Sequence, residues 1–475
     1  MYIDGQWVDA VSGKSFDSFN PTSGERIASL ADGGREDAAL AIAAAAKAFS
    51  AWSGTTAYQR SAFLYRAWQL MIERKEALAR IMTEEQGKPL KAARNEVQYA
   101  ADFLLWFAEE AKRIYGEIIP SPRADQRFMV IKQAVGVVAA VTPWNYPISM
   151  LTRKIAPALA AGCTVVLKPA ESTPLCAKAV FEVLHDAKLP PGVVNLVTAL
   201  DPAPIGAEFV ENPIVRKITF TGSTKVGKMI AGEAGRRMKR VSLELGGHAP
   251  FIVYPDSDPV HAAKGAVMVK FLNTGQACIS PNRIFVHKDA VEAFVGEFRN
   301  RAAKMKAGSG FDDAVAIGPL INKAAIDKVE AQVADALAKG AKLECGGQRL
   351  MDNGLDKGFF FAPTLLSGVT PEMRIYREET FGPVAPVIAY DDPEQVLEMA
   401  NDTTYGLAAY VYTNNMAQAM KAFEGLRFGI IGINDINPTA AAAPFGGMQE
   451  SGLGREGARE GIAEYLETKL GGMAI

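Results

Sequence analysis

The chain has 475 residues, more than one compact core of ordinary size holds, so several domains or a large two-lobed enzyme are expected. Hydrophobic residues at 49% and charged residues at 22% describe an ordinary globular protein, and a net charge of -2 gives no electrostatic reason to expect nucleic acid or an anionic membrane as partner. The start, Met1-Tyr2-Ile3-Asp4-Gly5, lacks a basic region followed by an apolar run, which predicts no secretory signal. The apolar stretch from Ile155 to Leu167 is interrupted by Pro157 and Gly162 and is too short to span a bilayer. Cys163, Cys176, Cys278 and Cys345 form neither a CxxC pair nor a zinc spacing with the histidines, so a reduced, cytoplasmic compartment and no metal site are expected.

In chain order, alanine-rich residues 36–50 read as a surface helix. Residues 58–115 carry apolar side chains at helical spacing, among them Phe63, Leu64, Leu70, Phe103, Leu104 and Phe107, and predict long helices broken near Gly87-Lys88-Pro89. From Gly136 the pattern alternates. Strands are predicted at Val137–Val141, Thr164–Leu167, Val193–Val197 and Ile218–Phe220, with helices at Arg153–Ala161, Leu175–Asp186 and Thr224 to about Ala234. Short continuous apolar strands between helices imply a parallel sheet covered on both faces. A second alternating region has strands near Phe251–Val253 and Ile284–Val286 and at 384–389 and 408–412, with helices near 260–271, 289–305 and 323–339. Two α/β lobes follow, without an internal repeat or low-complexity linker.

Two glycine-bearing frames carry the chemistry: Leu243-Glu244-Leu245-Gly246-Gly247 and Asn273-Thr274-Gly275-Gln276-Ala277-Cys278. A thiol that attacks a carbonyl needs a second group to activate water, and glycine beside each lets backbone pass close to a ligand. Alone, such a cysteine is most often a small buried hydrophobe. Phe220-Thr221-Gly222-Ser223-Thr224-Lys225-Val226-Gly227 ends a predicted strand and opens a helix, a place for a pyrophosphate at backbone N–H groups. Lys168 and Glu171, also at a strand end, can meet ribose hydroxyls, and the Glu171 charge would repel a 2′-phosphate. Gly452-Leu453-Gly454-Arg455-Glu456-Gly457 matches GxGxxG but follows no apolar strand; it reads as a turn into a helix from about Arg459 to Tyr465.

Taken together, Pro143-Trp144-Asn145, Lys168-Pro169-Ala170-Glu171, Phe220-Thr221-Gly222-Ser223, Leu243 to Gly247, Gly275-Gln276-Ala277-Cys278 and Glu378-Glu379-Thr380-Phe381-Gly382-Pro383 resemble the aldehyde dehydrogenase superfamily in order and spacing. The resemblance implies an α/β fold with a Rossmann-like cofactor domain (1–116 and 135–246), a catalytic domain (247–446) and a small β oligomerisation arm with the C-terminal segment (117–134 and 447–475), assembling as a homodimer or homotetramer. By that resemblance Cys278 is the nucleophile, Asn145 with the Cys278 N–H holds the oxyanion, Glu244 activates water, and Lys154 and Glu467 pass protons to and from it. Trp144, Lys168, Glu171, Gly222, Ser223, Leu245, Glu379 and Phe381 match cofactor-contacting positions. Glu171 favours NAD, with NADP as a second option.

Within the superfamily the chain is most similar to the succinate-semialdehyde dehydrogenase group. Arg153 matches an arginine that binds the substrate carboxylate there, and Thr439 keeps a substrate-loop hydroxyl. Two features depart. A second carboxylate-binding arginine is replaced by Leu272, and the loop Asp435 to Ala443 is unlike the usual one. Loss of one charge-assisted anchor, worth roughly 1.5–3 kcal/mol, leaves a longer ω-semialdehyde, a sulfonated aldehyde or a broader range as alternatives to succinate semialdehyde. Ser280 stands where some relatives carry a second cysteine, so no redox-switch disulfide is expected. Three rival readings are a cysteine hydrolase, which needs a histidine beside the thiol, a non-catalytic NAD-binding protein, which would lack Cys278 or Glu244, and a CoA-acylating enzyme, against which the intact Glu244 argues.

Overall fold

The computed structural model describes residues 1–475. Its two main sheets follow the two alternating regions of the sequence. The first has eight strands, in the spatial order Gln6–Trp7, Tyr2–Ile3, Val194–Leu196, Thr164–Lys168, Val137–Val141, Val215–Thr221, Arg240–Glu244 and Gly452–Leu453. Its five central strands are parallel, and the strands at both edges are antiparallel. From Val137–Val141 the chain steps outward twice to one side, then returns to place Val215–Thr221 on the other side. The strand order thus reverses between Val137–Val141 and Val215–Thr221. Ligands of open parallel sheets bind in the crevice at the carboxyl ends of strands flanking such a reversal. Here those ends lead into Trp144-Asn145 and Gly222-Ser223.

The second sheet has seven strands, in the order Lys342–Cys345, Thr364–Ser367, Val384–Tyr390, Pro281–His287, Ala249–Val253, Ala408–Tyr412 and Ile430–Ile433. All pair in parallel except Lys342–Cys345. Only a few residues separate Glu244 of the first sheet from Ala249 of the second, so the base frame bridges the two lobes.

The helical region breaks at Gly87-Lys88-Pro89, as its composition predicts: Gly87 ends the Lys75–Gln86 helix at φ 87°, and Leu90–Glu110 follows Pro89. A further break at Arg74, unmarked by glycine or proline, separates Ala57–Glu73 from Lys75–Gln86. The helix expected from Arg153 starts four residues earlier, at Ser149. The reason is tertiary: the Glu96 carboxylate, brought by a distant helix, accepts from the Ile148 and Ser149 N–H groups at 3.0 and 3.1 Å and caps that end. The short N-terminal strands and those at 342–345, 364–367 and 430–433 carry no strong period-2 signal, and pairing with neighbouring strands supplies what propensity does not.

Within the C-terminal segment 447–475, two strands pair in different sheets. Gly452–Leu453 pairs with Arg240–Glu244, and only Leu466–Ala474 joins Gln126–Ala134 and Glu117–Ile119 in a three-stranded sheet. This sheet exposes Ile118, Met129, Ile131, Leu470 and Met473. No helix of the chain is long and apolar enough to cross a membrane.

Candidate active site

Glu244 ends its strand in the interior, 2% exposed, with no hydrogen-bond partner for either carboxylate oxygen. Burial raises its pKa to about 7; the Arg153 cation opposes the rise and the Glu456 carboxylate adds to it. The Cys278 thiol is pushed well above its ordinary value by burial and by the Glu244 charge, while Arg153 pulls it down. With the Glu244 charge raising the thiol in this way, the two acids do not ionise together cheaply.

Backbone shape brings the thiol there. Asn273, Thr274 and Gly275 have φ of 50°, 60° and 77°, three consecutive left-handed residues just before the nucleophile. A Cβ at Gly275 would lie 2.1 Å from the Gly382 carbonyl oxygen, and one at Gly247 would lie 2.2 Å from the Cys278 carbonyl oxygen. Both glycines are thus needed for the cofactor-side loops to close on the cysteine segment.

Asn145 is buried and donates through Nδ2 to the Gln276 carbonyl at 3.0 Å. An amide has two such hydrogens, so the second is free for an oxyanion. The Asn145 backbone carbonyl accepts from Asn273 Nδ2 at 2.9 Å and from Lys88 Nζ at 2.8 Å. Lys88 is fully buried, paired with Glu96 at 2.5 Å. Glu96 is the carboxylate that caps the Ser149–Ala161 helix. This pair ties the oxyanion residue to the helix that carries Arg153 and Lys154. Sequence reading missed Lys88 and Glu96. The only signal was a charged residue between Gly87 and Pro89, with a glutamate eight residues on.

That helix presents Arg153 and Lys154 to Glu456. Lys154 Nζ lies 2.6 Å from Glu456 Oε1 and 3.2 Å from Thr219 Oγ1, and Arg153 Nε lies 2.8 Å from Glu456 Oε2. Glu467, assigned above to the proton relay, is not part of this cluster. It sits on the arm strand Leu466–Ala474, about half exposed, and its carboxylate is taken by Arg240 at 2.6 Å. Glu456 stands beside Lys154 instead, because the glycine turn that imitates a dinucleotide fingerprint folds back on the Arg240–Glu244 strand. Gly452 approaches so closely that a Cβ there would lie 2.0 Å from the Leu243 carbonyl oxygen. The motif is therefore a turn as expected, and it delivers a buried carboxylate.

Arg153 is 2% exposed, its Cζ 4.0 Å from the centre of the Phe445 ring, and its Nη2 has no hydrogen-bond partner. Thr439 is half-buried and donates to Asn437. Tyr99, which the sequence did not flag, neighbours both: Arg153 and Thr439 each lower its phenol against the rise caused by burial. Leu272 is exposed where a second cation was absent from the sequence. None of the histidines hydrogen-bonds to Cys278. His185 meets Tyr2, His248 meets Thr403, His287 meets the Asp391 carbonyl, and His261 packs on Tyr412. The thiol–histidine pair of a cysteine hydrolase is not formed.

Trp144, Lys168, Gly222 and Leu245 lie at or just after the carboxyl ends of first-sheet strands, and Glu379 and Phe381 lie just before the Val384–Tyr390 strand. Ser223 caps the Thr224–Gly235 helix, accepting from the Val226 N–H. Leu245 packs on Gly227, where a Cβ would lie 2.3 Å from its Cδ2, so this helix can sit against the base strand. Glu379 accepts from the Gly247 N–H at 3.0 Å, and Phe381, at φ 54°, meets Trp144 edge to face at 5.6 Å. Lys168 Nζ lies 3.2 Å from the partly exposed Glu171 carboxylate. A helix N-terminus for phosphates, a Lys–Glu pair for a ribose and Glu379 for a second ribose fit a nicotinamide dinucleotide.

The sequence model of the Aldehyde dehydrogenase family matches residues 7–470. A probable succinate-semialdehyde dehydrogenase [NADP(+)] of Sinorhizobium fredii is 50% identical over 96% of this chain and 92% of its own length. A glutarate-semialdehyde dehydrogenase of Pseudomonas aeruginosa is 48% identical over 99% of this chain and 97% of its own. The crystal structure of an E. coli NADP dependent enzyme superposes with a TM-score of 0.98 at 46% identity, covering 100% of this chain and 98% of that one.

Proposed function

The chain belongs to the aldehyde dehydrogenase family, and within it we propose that the protein oxidises a small anionic aldehyde, succinate semialdehyde first among them, to its carboxylate through a thioester on Cys278. It is an NAD(P)-dependent aldehyde dehydrogenase. The observation that carries the anionic substrate is the buried guanidinium of Arg153, whose Nη2 has no protein partner and whose charge acts on both Cys278 and Glu244. A guanidinium fork suits a carboxylate, and also a sulfonate.

In this reading Glu244 takes the thiol proton and the Cys278 sulfur adds to the aldehyde carbon. The negative oxygen that develops is held by the free Asn145 Nδ2 hydrogen and the Cys278 backbone N–H. Bound in the crevice, the nicotinamide supplies the acceptor for the hydride that leaves this carbon. Once Glu244 has given up the thiol proton by way of Glu456 and Lys154, it removes a proton from water, whose oxygen attacks the thioester carbon; the C–S bond breaks, the carboxylate product leaves, and the departing sulfur takes back the proton that Glu244 holds. Lys154 and Glu456 stand ready to pass on the proton that Glu244 collects.

Initial rates of reduced-cofactor formation decide the substrate, measured with succinate semialdehyde, glutarate semialdehyde, a sulfonated aldehyde and neutral propanal. The expected result is a kcat/KM for succinate semialdehyde at least ~10-fold above propanal, from one charge-assisted contact. A lead for the longer or the sulfonated aldehyde would mean that Leu272 and the 435–443 loop re-aim the pocket. No lead for any anion would remove the anionic reading.

Two similar proteins are named for NADP, yet the Glu171 carboxylate favours NAD here, because it would face the 2′-phosphate across a partly solvated gap. Glu171→Ser frees Lys168 to meet that phosphate. It should move the NADP to NAD ratio of kcat/KM toward NADP by ~5-fold or more, as removal of about 1–4 kcal/mol of charge repulsion requires. An unchanged ratio would mean that Glu171 does not read the ribose. The exposed apolar side chains of the three-stranded arm support assembly as a homodimer or homotetramer, and the four free thiols suit a cytoplasmic setting.

A further inference from the structure

Arg153 does not wait in the pocket as a free cation. Its Nε lies 2.8 Å from Glu456 Oε2, and the other oxygen of that carboxylate lies 2.6 Å from Lys154 Nζ. All three groups are within 8% of complete burial. Of two consecutive residues on one helix, Lys154 thus hydrogen-bonds one oxygen of this carboxylate, and Arg153 faces the other as an ion pair whose Nε makes no hydrogen bond. Glu244 and Glu456 also line a common cavity of ≈ 10 Å³, at the lower limit for one water, together with Phe445 and Gly446. Both Glu244 oxygens and Glu456 Oε2 have no hydrogen-bond partner. A lone anion anchor needs none of this arrangement. An arginine reserved for substrate would be better placed away from a carboxylate that competes for it.

We propose that Arg153 is a positioning residue for the proton route as well as the anion contact: it orients the Glu456 carboxylate toward Lys154 and the cavity shared with Glu244, and it meets the charged end of the substrate with Nη2. One residue would then act on every aldehyde, charged or neutral. This rests on the dehydrogenase reading above but not on the choice of substrate.

The electrostatics agree in sign. The ionisable groups that face Arg153 are Glu456 from the turn after Gly452–Leu453, Tyr99 from the Leu90–Glu110 helix, Glu244 from the base strand and Cys278 from the nucleophile loop. Lys154 is its neighbour on its own helix. Among the charges acting on Glu244, Arg153 is the largest, and it favours the ionised form. Burial raises Glu456, and Lys154 and Arg153 more than offset it, so this carboxylate rests below its ordinary value. Without Arg153, Glu244 loses its chief stabilising cation, its pKa rises, and the pH at which it becomes an active base rises with it.

The test uses propanal, which has no charge for Arg153 to bind, and the full-length protein with NAD. The pH dependence of kcat is compared for wild type, Arg153→Met and Arg153→Lys, each first checked for NAD binding and for its circular dichroism. The expected result for Arg153→Met is an acid limb displaced upward by at least about half a pH unit, with kcat at neutral pH down ~3-fold or more. Arg153→Lys keeps a cation beside Glu456, so its limb should return to the wild-type position, while its KM for succinate semialdehyde stays raised because the fork is lost. If Arg153→Met does not fold, Glu456→Gln replaces it: a wild-type limb on propanal would then show that the carboxylate Arg153 holds has no part in the route. An Arg153→Met limb identical to wild type, with only the KM for anionic aldehydes raised, would overturn the proposal and leave Arg153 a simple anchor. Equal kcat/KM for charged and neutral aldehydes in the wild type would instead remove the anionic substrate, and the propanal profiles would still decide this point.

Discussion

Cys278→Ala should lower kcat for aldehyde oxidation by roughly 10⁴–10⁶-fold, the scale on which loss of an essential nucleophile is felt. No other thiol can stand in. Cys163 and Cys176 are fully buried in the cofactor lobe, their pKa values raised by burial, and Cys345 bonds to the Pro363 carbonyl in the outer strands of the catalytic sheet. The variant should bind NAD as tightly as the wild type. The phosphate-facing helix end, the Lys168–Glu171 pair and the Glu379 bond to Gly247 do not depend on the thiol. Alanine also keeps the left-handed run at 273–275, which is fixed by the Gly275 approach to Gly382 and by the Asn273 side chain on Asn145. A fluorescence titration with NAD beside a turnover assay separates the outcomes. Normal turnover would remove the covalent mechanism, and lost NAD binding would make Cys278 structural.

Glu244→Gln should divide the reaction in two. Glutamine keeps the shape of the side chain but cannot take a proton, so formation of the thioester slows less than its hydrolysis. Rapid mixing should show a burst of reduced cofactor approaching one equivalent per site, followed by a steady rate ~10²–10⁴-fold below wild type. The pH profile gives a second reading. Glu244 works as a base only when ionised, and its pKa is about 7, so wild-type turnover should be present above that pH and lost as pH falls through it. In Glu244→Gln this limb should vanish from the steady-state rate. A variant with no burst and an unchanged limb would place the base elsewhere, with Glu456, which lines the same cavity, as the candidate.

The reassignment from Glu467 to Glu456 shows where reading a sequence stops. Both glutamates lie in the same C-terminal stretch, eleven positions apart, and both are flanked by residues compatible with a buried or an exposed site. What separates them is the path of the backbone. Gly452 pairs with the base strand and turns Glu456 inward against Lys154, while Leu466–Ala474 leaves the body of the protein to pair with Gln126–Ala134. No local pattern marks that divergence. Lys88 and Glu96 pose the same problem. A lysine in an interhelical break and a glutamate on a helix would ordinarily face solvent, yet this pair is buried and Lys88 holds the Asn145 backbone carbonyl.

The sequence by itself determined the elements whose cause is local. Continuous β-branched runs made the central parallel strands, Gly87 and Pro89 broke the long helices, and glycines beside Glu244 and Cys278 marked backbone that must pass close to another chain segment. It also offered Cys278 and Glu244 as the candidate reacting groups, because glycine flanks both a thiol and a carboxylate there. The tertiary structure alone decided what depends on burial and on charges distant in sequence. It chose Glu456 over Glu467, brought Glu96 fifty-two residues across the chain to Ile148, and set Arg153 against a carboxylate 303 residues away. A pKa near 7 for Glu244 belongs to the same class, since desolvation and the Arg153 and Glu456 charges that set it exist only once both sheets and the C-terminal turn have closed around the strand end.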